Sequence, residues 1–147
     1  MPIPSPSTSP LSSAAGSVNW LLHNFVDGTP GVESAIGVSS DGLLMAVSGP
    51  FDRAGADRFA AIVSGLRSLG DGAARVLERG TLAHVVVEMS SGYVLVAQIS
   101  DGSTLGVVTE PGCDLGLVAY EVTLLVERVG VHLTPQVVNE LKGSVGV

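Results

Sequence analysis

The feature that most constrains the fold is a series of short apolar runs separated by tight turns. Residues 32–39 and 43–48 flank Ser40-Asp41-Gly42, and an Asp-Gly pair between two apolar runs is a strong hairpin signal. Three further runs, at residues 82–89, 93–99 and 105–109, are separated by Ser-Gly and Asp-Gly turns. The pattern therefore predicts five strands, arranged as one hairpin and one antiparallel meander.

Three amphipathic helices are predicted around these strands. The first follows Ser17, a suitable N-cap, and repeats apolar residues at helical spacing as far as Phe25. The second runs over residues 53–69, and the third follows Asp114 and ends near residue 129. The predicted buried stripe of the second helix consists of Phe59, Ile62, Val63, Leu66 and Leu69. The fold class is therefore α+β, an α/β/α sandwich in which helices cover both faces of a five-stranded antiparallel sheet.

Segments without periodicity flank the domain predicted over residues 17–130. Residues 1–16 are rich in proline and serine, which predicts a disordered tail, with a proline-rich ligand as the alternative. Residues 131–147 are predicted as a second tail that contains one turn after Thr134-Pro135. No apolar run reaches the roughly 20 residues of a membrane-spanning helix. Because the first basic residue is Arg53 and the chain has one cysteine, we expect a cytoplasmic protein without a secretion signal.

Charge and motif content argue against several functional classes. The net charge is −7, and the chain has a single lysine, so it lacks the basic surface that nucleic-acid binding requires. No phosphate-binding glycine motif is present, and many of the glycines fall in Asp-Gly and Ser-Gly turns. Cys113 lies next to the predicted start of the third helix, where a reactive thiol is conceivable, but no base accompanies it, which favours a structural role. His84 and Glu88 lack a third metal ligand. We therefore expect no catalytic residue, cofactor or metal, and no enzymatic activity.

The face of the second helix opposite its predicted stripe carries small side chains and little charge. A solvated helix face normally carries more charge, and small residues allow another helix to approach closely. Gly65 in particular costs about 1 kcal/mol relative to alanine in a helix. We therefore predict that this face packs against a partner helix. Its members are Ala60, Ala61, Ser64, Gly65 and Ser68, with Arg67 near its end.

Several local strings resemble those of roadblock/LC7 domains. Thr29-Pro30-Gly31-Val32 followed by Asp41-Gly42-Leu43-Leu44 is similar to the family's Pro-Gly turn and first hairpin. Val87-Glu88-Met89, Gly92-Tyr93 and the segment 116–121 look like its actinobacterial branch, which also suits the excess of arginine over lysine. The resemblance spans residues 18–129. It implies a profilin/longin-like fold, with the second helix on one face of the sheet and the first and third on the other.

The resemblance also implies a mode of assembly and a class of partner. Roadblock/LC7 domains typically dimerise through their second helices and the following edge strand, which adds His84, Val86 and Glu88 to the predicted interface. They commonly act as non-enzymatic partners of small Ras-like GTPases, or as scaffolds. In actinobacteria, their genes tend to neighbour a small GTP-binding protein and a sensor histidine kinase. We therefore expect a homodimeric regulator of such a GTPase, linked to a sensor-kinase pathway.

One alternative from another functional class stays open. Antiparallel sheets flanked by helices also build small-molecule pockets, so the chain could be a ligand-sensing domain with a pocket between sheet and helices. A buried polar cluster would favour that function. The predicted strands show only Gln98, His84 and Glu88 as polar interruptions.

Overall fold

The computed structural model describes residues 11–145. Its helices are α1 (Ser13–Gly28), α2 (Arg53–Val76), α3 (Leu115–Gly130) and α4 (Pro135–Ser144), and its strands are β1 (Val32–Val38), β2 (Leu44–Ser48), β3 (His84–Met89), β4 (Gly92–Gln98) and β5 (Thr104–Thr109). The strands form one sheet in the order β2-β1-β5-β4-β3, and each neighbouring pair is antiparallel. The predicted α+β sandwich with a five-stranded antiparallel sheet is confirmed.

Two apolar clusters lie on opposite faces of the sheet because consecutive strand residues point to opposite sides. Along β4, Leu95 and Ala97 pack with α1, α3 and α4, whereas Val94 and Val96 pack under α2. The sheet thus lies between a layer of three helices and a layer of one. Strands β1, β5 and β4 form the middle of the sheet, and β2 and β3 form its edges.

The first helix begins earlier than the sequence pattern predicted. The side chain of Ser12, and not that of Ser17, caps α1 by accepting a hydrogen bond from the Ala15 amide. Ala15 is fully buried, so residues 13–16 belong to the folded domain and not to a tail. The remainder of the predicted tail, residues 1–10, lies outside the described residues.

The second helix extends about two turns beyond its predicted end, Leu69, to Val76. Gly70 and Gly72 do not form a turn but lie within α2, which continues to Val76. A Cβ atom on Gly70 would lie 2.8 Å from a Leu82 methyl group and 2.9 Å from one of Val85. This glycine therefore allows the helix to pass close to the segment that leads into β3.

No helix within residues 11–145 has the length and hydropathy needed to cross a bilayer.

The C-terminal segment is a helix and not the predicted tail. The Thr134 hydroxyl caps α4 by accepting a hydrogen bond from the Val137 amide. Pro135 occupies the first helical position, where the missing N–H costs nothing because that group has no partner within a helix. Leu133, Val137 and Leu141 are buried in the same cluster as α1 and α3. The short segment carried too few residues for a periodic pattern to stand out, and its burial depends on β2 and α1, against which it packs.

Candidate interaction surface

The predicted buried stripe of α2 is divided between the sheet and the solvent. Val63 is fully buried against the sheet, but Ile62 is 56% exposed and Leu69 is 74% exposed. Conversely, Ala60, which was assigned to the outer face, is buried at 1% exposure. Small side chains line the contact because the helix lies close to the strands: a Cβ atom on Gly106 would lie 2.5 Å from a Val63 methyl group.

The exposed apolar side chains of α2 form a continuous stripe, which we call the α2 seam. Its members are separated alternately by three and four residues, the spacing at which one helix packs along another. Ile62, Leu69 and Val76 are exposed, the last at 78%, and Phe59 and Leu66 are partly buried. The complete α2 seam is Phe59, Ile62, Leu66, Leu69, Ala73 and Val76. Such a stripe on a surface helix is typical of helices that pack against another chain.

The small residues predicted as an interface lie beside the α2 seam and not all on one exposed face. Gly65 and Gly72 flank it, and a Cβ atom on either would have no described atom within 4 Å. Ala61 and Ser68 are exposed farther round the helix. Ser64 borders the β1–β2 turn, where a Cβ atom on Gly42 would lie 3.5 Å from its hydroxyl.

Arg67 holds α2 against the sheet instead of standing free for a partner. Its Nε lies 3.1 Å from an Asp71 carboxylate oxygen, and its Nη1 donates to the Gly102 carbonyl and to the Thr104 hydroxyl. Only 18% of its side chain is exposed. Of the predicted interface residues, Arg67 and Ala60 therefore serve the monomer itself.

The edge strand β3 presents the other predicted residues. Within residues 11–145, β3 pairs only with β4, so its outer edge has no strand beside it. His84, Val86 and Glu88 lie on the face that carries α1 and α3, since they are paired with residues of that cluster. Val86 is 47% exposed because those helices do not reach the edge. On the opposite face, Met89 is also 47% exposed.

An apolar groove runs between the first half of α2 and the sheet. It has a volume of about 540 Å³. Phe51 and Phe59 stack at one wall, with ring centroids 5.6 Å apart. Val87, Met89 and Val94 form its floor, and Ile62 and Leu66 of the α2 seam line its rim. Its charged lining residues are Glu33 and Arg58. The groove, the α2 seam and the open edge of β3 are thus one continuous surface.

The cysteine and histidine side chains that could carry chemistry lie far apart, and Cys113 and His23 each contact a hydroxyl group. The half-buried Cys113 thiol contacts the Thr109 hydroxyl at 3.3 Å. His23 Nδ1 lies 2.8 Å from the Ser48 hydroxyl on the far side of the molecule from β3. Within the described range, no three His, Cys, Asp or Glu side chains converge as a metal site requires.

Two carboxylates tie α4 to the rest of the layer. Hydrogen bonding from Ser39, assisted by Lys142 at 3.3 Å, holds the pKa of Asp41 below its usual value, although partial desolvation opposes the shift. The Ser12 backbone amide donates to the Glu140 carboxylate, which lowers the pKa of that group. These contacts position α4 against the first hairpin and the start of α1.

Solved structures of other proteins resemble this chain in sequence and in fold. The chain is 37% identical to a Roadblock/LC7 domain from Streptomyces avermitilis, over 76% of this chain and 92% of that one, with a TM-score of 0.71. It also resembles Myxococcus xanthus MglB (14% identity, 78% and 92% covered, TM-score 0.71) and profilin IB from Acanthamoeba castellanii (18% identity, 78% and 98% covered, TM-score 0.58). The latter two likenesses concern the fold alone. No curated protein gives a significant sequence match.

The sequence profile of the Roadblock/LC7 domain matches residues 18–109, from α1 to the end of β5. The matched range contains the α2 seam, the groove and β3. The strings that suggested the family from the sequence lie on the same elements, and the Streptomyces relative supports the actinobacterial resemblance. The chain therefore belongs to the Roadblock/LC7 family.

Proposed function

We propose that this protein is a non-enzymatic homodimeric regulator or scaffold that binds a small Ras-like GTPase within a sensor-kinase signalling system. The observation that carries the proposal is the surface formed by the α2 seam, the groove and the open edge of β3. An apolar surface of this extent is costly to leave in water and is typical of a protein–protein interface.

The α2 seam is complementary to itself under two-fold symmetry. When two copies of α2 pack antiparallel, Phe59 faces Val76 of the second copy, and Ile62 faces Ala73 of the second copy. Leu66 then faces Leu69 of the second copy, so each layer joins apolar side chains at heptad positions. Gly65 and Gly72 face each other beside these layers, where the lack of side chains allows close approach. The two-fold axis also repeats each contact in both directions, so the assembly is complete with two copies.

The same symmetry accounts for the groove and the edge strand. The groove opens beside Ile62 and Leu66, so the second copy's α2 would cover it. With the two α2 helices side by side, the β3 strands of both copies come edge to edge. Pairing them removes an unpaired edge, which otherwise invites aggregation.

A GTPase as partner is supported by family membership. Roadblock/LC7 domains commonly bind small Ras-like GTPases, and this chain has no phosphate-binding motif of its own. Its acidic surface is also unsuited to a nucleic-acid partner.

The dimer is tested by its mass in solution. Light scattering coupled to size exclusion should give twice the single-chain 14.9 kDa at micromolar concentration. Ile62→Glu with Leu69→Glu places carboxylates within the α2 seam, and we expect a folded monomer. The matched control is Ala61→Glu with Ser68→Glu, which adds the same charge to the same helix outside the seam and should leave the dimer intact.

Two outcomes would contradict this interface. A monomeric wild type refutes the dimer. A dimer that survives the seam variant but is lost in the control places the contact on the small-residue face instead.

The GTPase is tested by co-purification. The tagged full chain, isolated from its native cells in buffer with a GTP analogue or with GDP, should retain a small GTP-binding protein that mass spectrometry identifies. Recovery of partners without any GTP-binding protein, from wild-type chain whose dimer is intact, would refute the GTPase and leave the dimer standing.

The groove also favours one alternative, a small-molecule sensor. Its volume and stacked aromatic wall suit an apolar ligand. In the proposed dimer the second copy covers this groove. An apolar dye such as ANS should therefore bind the monomeric seam variant but not the wild type; equal binding to both would favour the sensor.

A further inference from the structure

Strand β2 forms the second edge of the sheet, on the opposite side from β3. Within residues 11–145, β2 pairs only with β1. Sheets usually protect such an edge with charged side chains, prolines or bulges, because unpaired N–H and C=O groups can pair with another chain. β2 has five residues, Leu44–Ser48, none of which is charged or a proline. Its register shift falls at Met45, which leaves Ala46–Ser48 regular and without protection from the strand itself.

The chain passes across this edge after α4. Leu141 belongs to the apolar cluster under α1 and α3, whereas Val145 packs against the cluster under α2. The sheet separates the two clusters, so the chain between these residues goes around an edge of the sheet. That edge is β2, because α4 packs against β2 and because Ser144 and Val145 line a cavity together with residues 45–47. We call residues 143–145 the C-terminal strap.

The C-terminal strap is held in place by few contacts. The Nη1 of Arg53, the first residue of α2, donates to the Val145 carbonyl at 3.4 Å, which is a long and exposed hydrogen bond. Among the described residues, no backbone hydrogen bond joins the strap to β2. A cavity of about 260 Å³ lies between the strap, β2 and α1. The strap therefore crosses the edge of β2 without pairing with it, and its displacement breaks few contacts.

The regular part of β2 is complementary to itself. In an antiparallel pair of two β2 strands centred on Val47, this residue faces its own copy and Ala46 faces Ser48 of the second copy. Such a pair joins two β-branched side chains and brings no charges of the paired residues together. A two-fold axis also completes it with two copies, whereas pairing of β2 with β3 of another copy would continue without limit.

We propose that the C-terminal strap blocks the β2 edge against a second copy of the chain, and that its displacement allows two β2 strands to pair through Val47. The position of Val145 carries this inference, because Val145 lines the same cavity as Val47 and packs against the same cluster. It therefore occupies the side of the edge that a second strand would need. An edge with so few regular residues forms a weak pair, so the association is expected at high protein concentration.

Sedimentation equilibrium over a range of concentrations tests the strap. In a chain without residues 144–147, we expect the mean mass to rise with concentration toward twice the full-length value. Arg53→Ala in the full-length chain removes the hydrogen bond to Val145 and should cause a smaller rise. Asp57→Ala is the matched control, since it removes the ion pair of Arg53 but not the contact with the strap, and it should leave the mass unchanged.

Val47 tests whether the association takes place through β2. In the shortened chain, Val47→Lys should abolish the rise in mass, because the pair would bring two lysines against each other. Val47→Thr keeps an uncharged β-branched side chain and should preserve the rise. Circular dichroism verifies the fold of each variant, and Arg53→Ala carries the test in the intact chain if the shortened chain unfolds.

Two results would overturn the proposal. Equal masses of the full-length chain and of the strap variants at every concentration would show that the strap does not block an edge. A rise that survives Val47→Lys would assign the association to another surface. Each variant is compared with the full-length chain whatever the mass of that chain. The inference therefore does not depend on the α2 seam or on a GTPase.

Discussion

At the scale of single residues, Gly106 shows how one position sets the distance between two layers. A Cβ atom there would lie 2.5 Å from Val63 of α2 and 3.4 Å from Ile36 of β1, both of which are fully buried. We expect Gly106→Ala to destabilise the fold by about 1–3 kcal/mol, the usual cost of overpacking a core. Gly16→Ala is the control: it lies in α1 with open space around it and should stabilise by up to about 1 kcal/mol. Urea unfolding measures both, and an unchanged midpoint for Gly106→Ala would show that the layers can separate without cost.

At the scale of elements, α4 is held to the domain by contacts that depend on pH. The pKa values of Asp41 and Glu140 are lowered in the fold, so their contribution to stability is complete above the unfolded-state values and is lost as the pH falls below about 4. We expect the melting temperature to decline over that acid range, and to decline less in Asp41→Asn with Glu140→Gln. Both groups are exposed, so the effect should be modest. Identical acid profiles for the two proteins would show that other carboxylates determine the decline.

At the scale of the whole molecule, apolar surface is exposed on two opposite sides. The sheet of five strands is roughly 20 Å wide between its outer strands, whereas a single helix such as α2 is only about 10–12 Å in diameter with its side chains. One helix cannot cover the sheet on that face, and the groove is the part left open. The three helices on the other face cover it more fully but leave Trp20 and Tyr120 exposed. We therefore infer that the open part of the α2 face is covered by a contact between copies through α2.

Much of the fold was determined by local sequence. The Asp-Gly and Ser-Gly turns, the alternating strands and the cap at Asp114 act between residues close in the chain, so their pattern predicted five strands and three helices in the correct order. The tertiary structure alone decided which side of α2 is buried. From periodicity alone, Ile62 and Leu69 were predicted to be buried together with Val63. In the structure, Gly106 allows α2 to approach the sheet closely at Val63 and Ala60, whereas Ile62 and Leu69 remain exposed. Likewise, α4 is buried only because β2 and α1 offer a surface for Val137 and Leu141, and no pattern within ten residues contains that information.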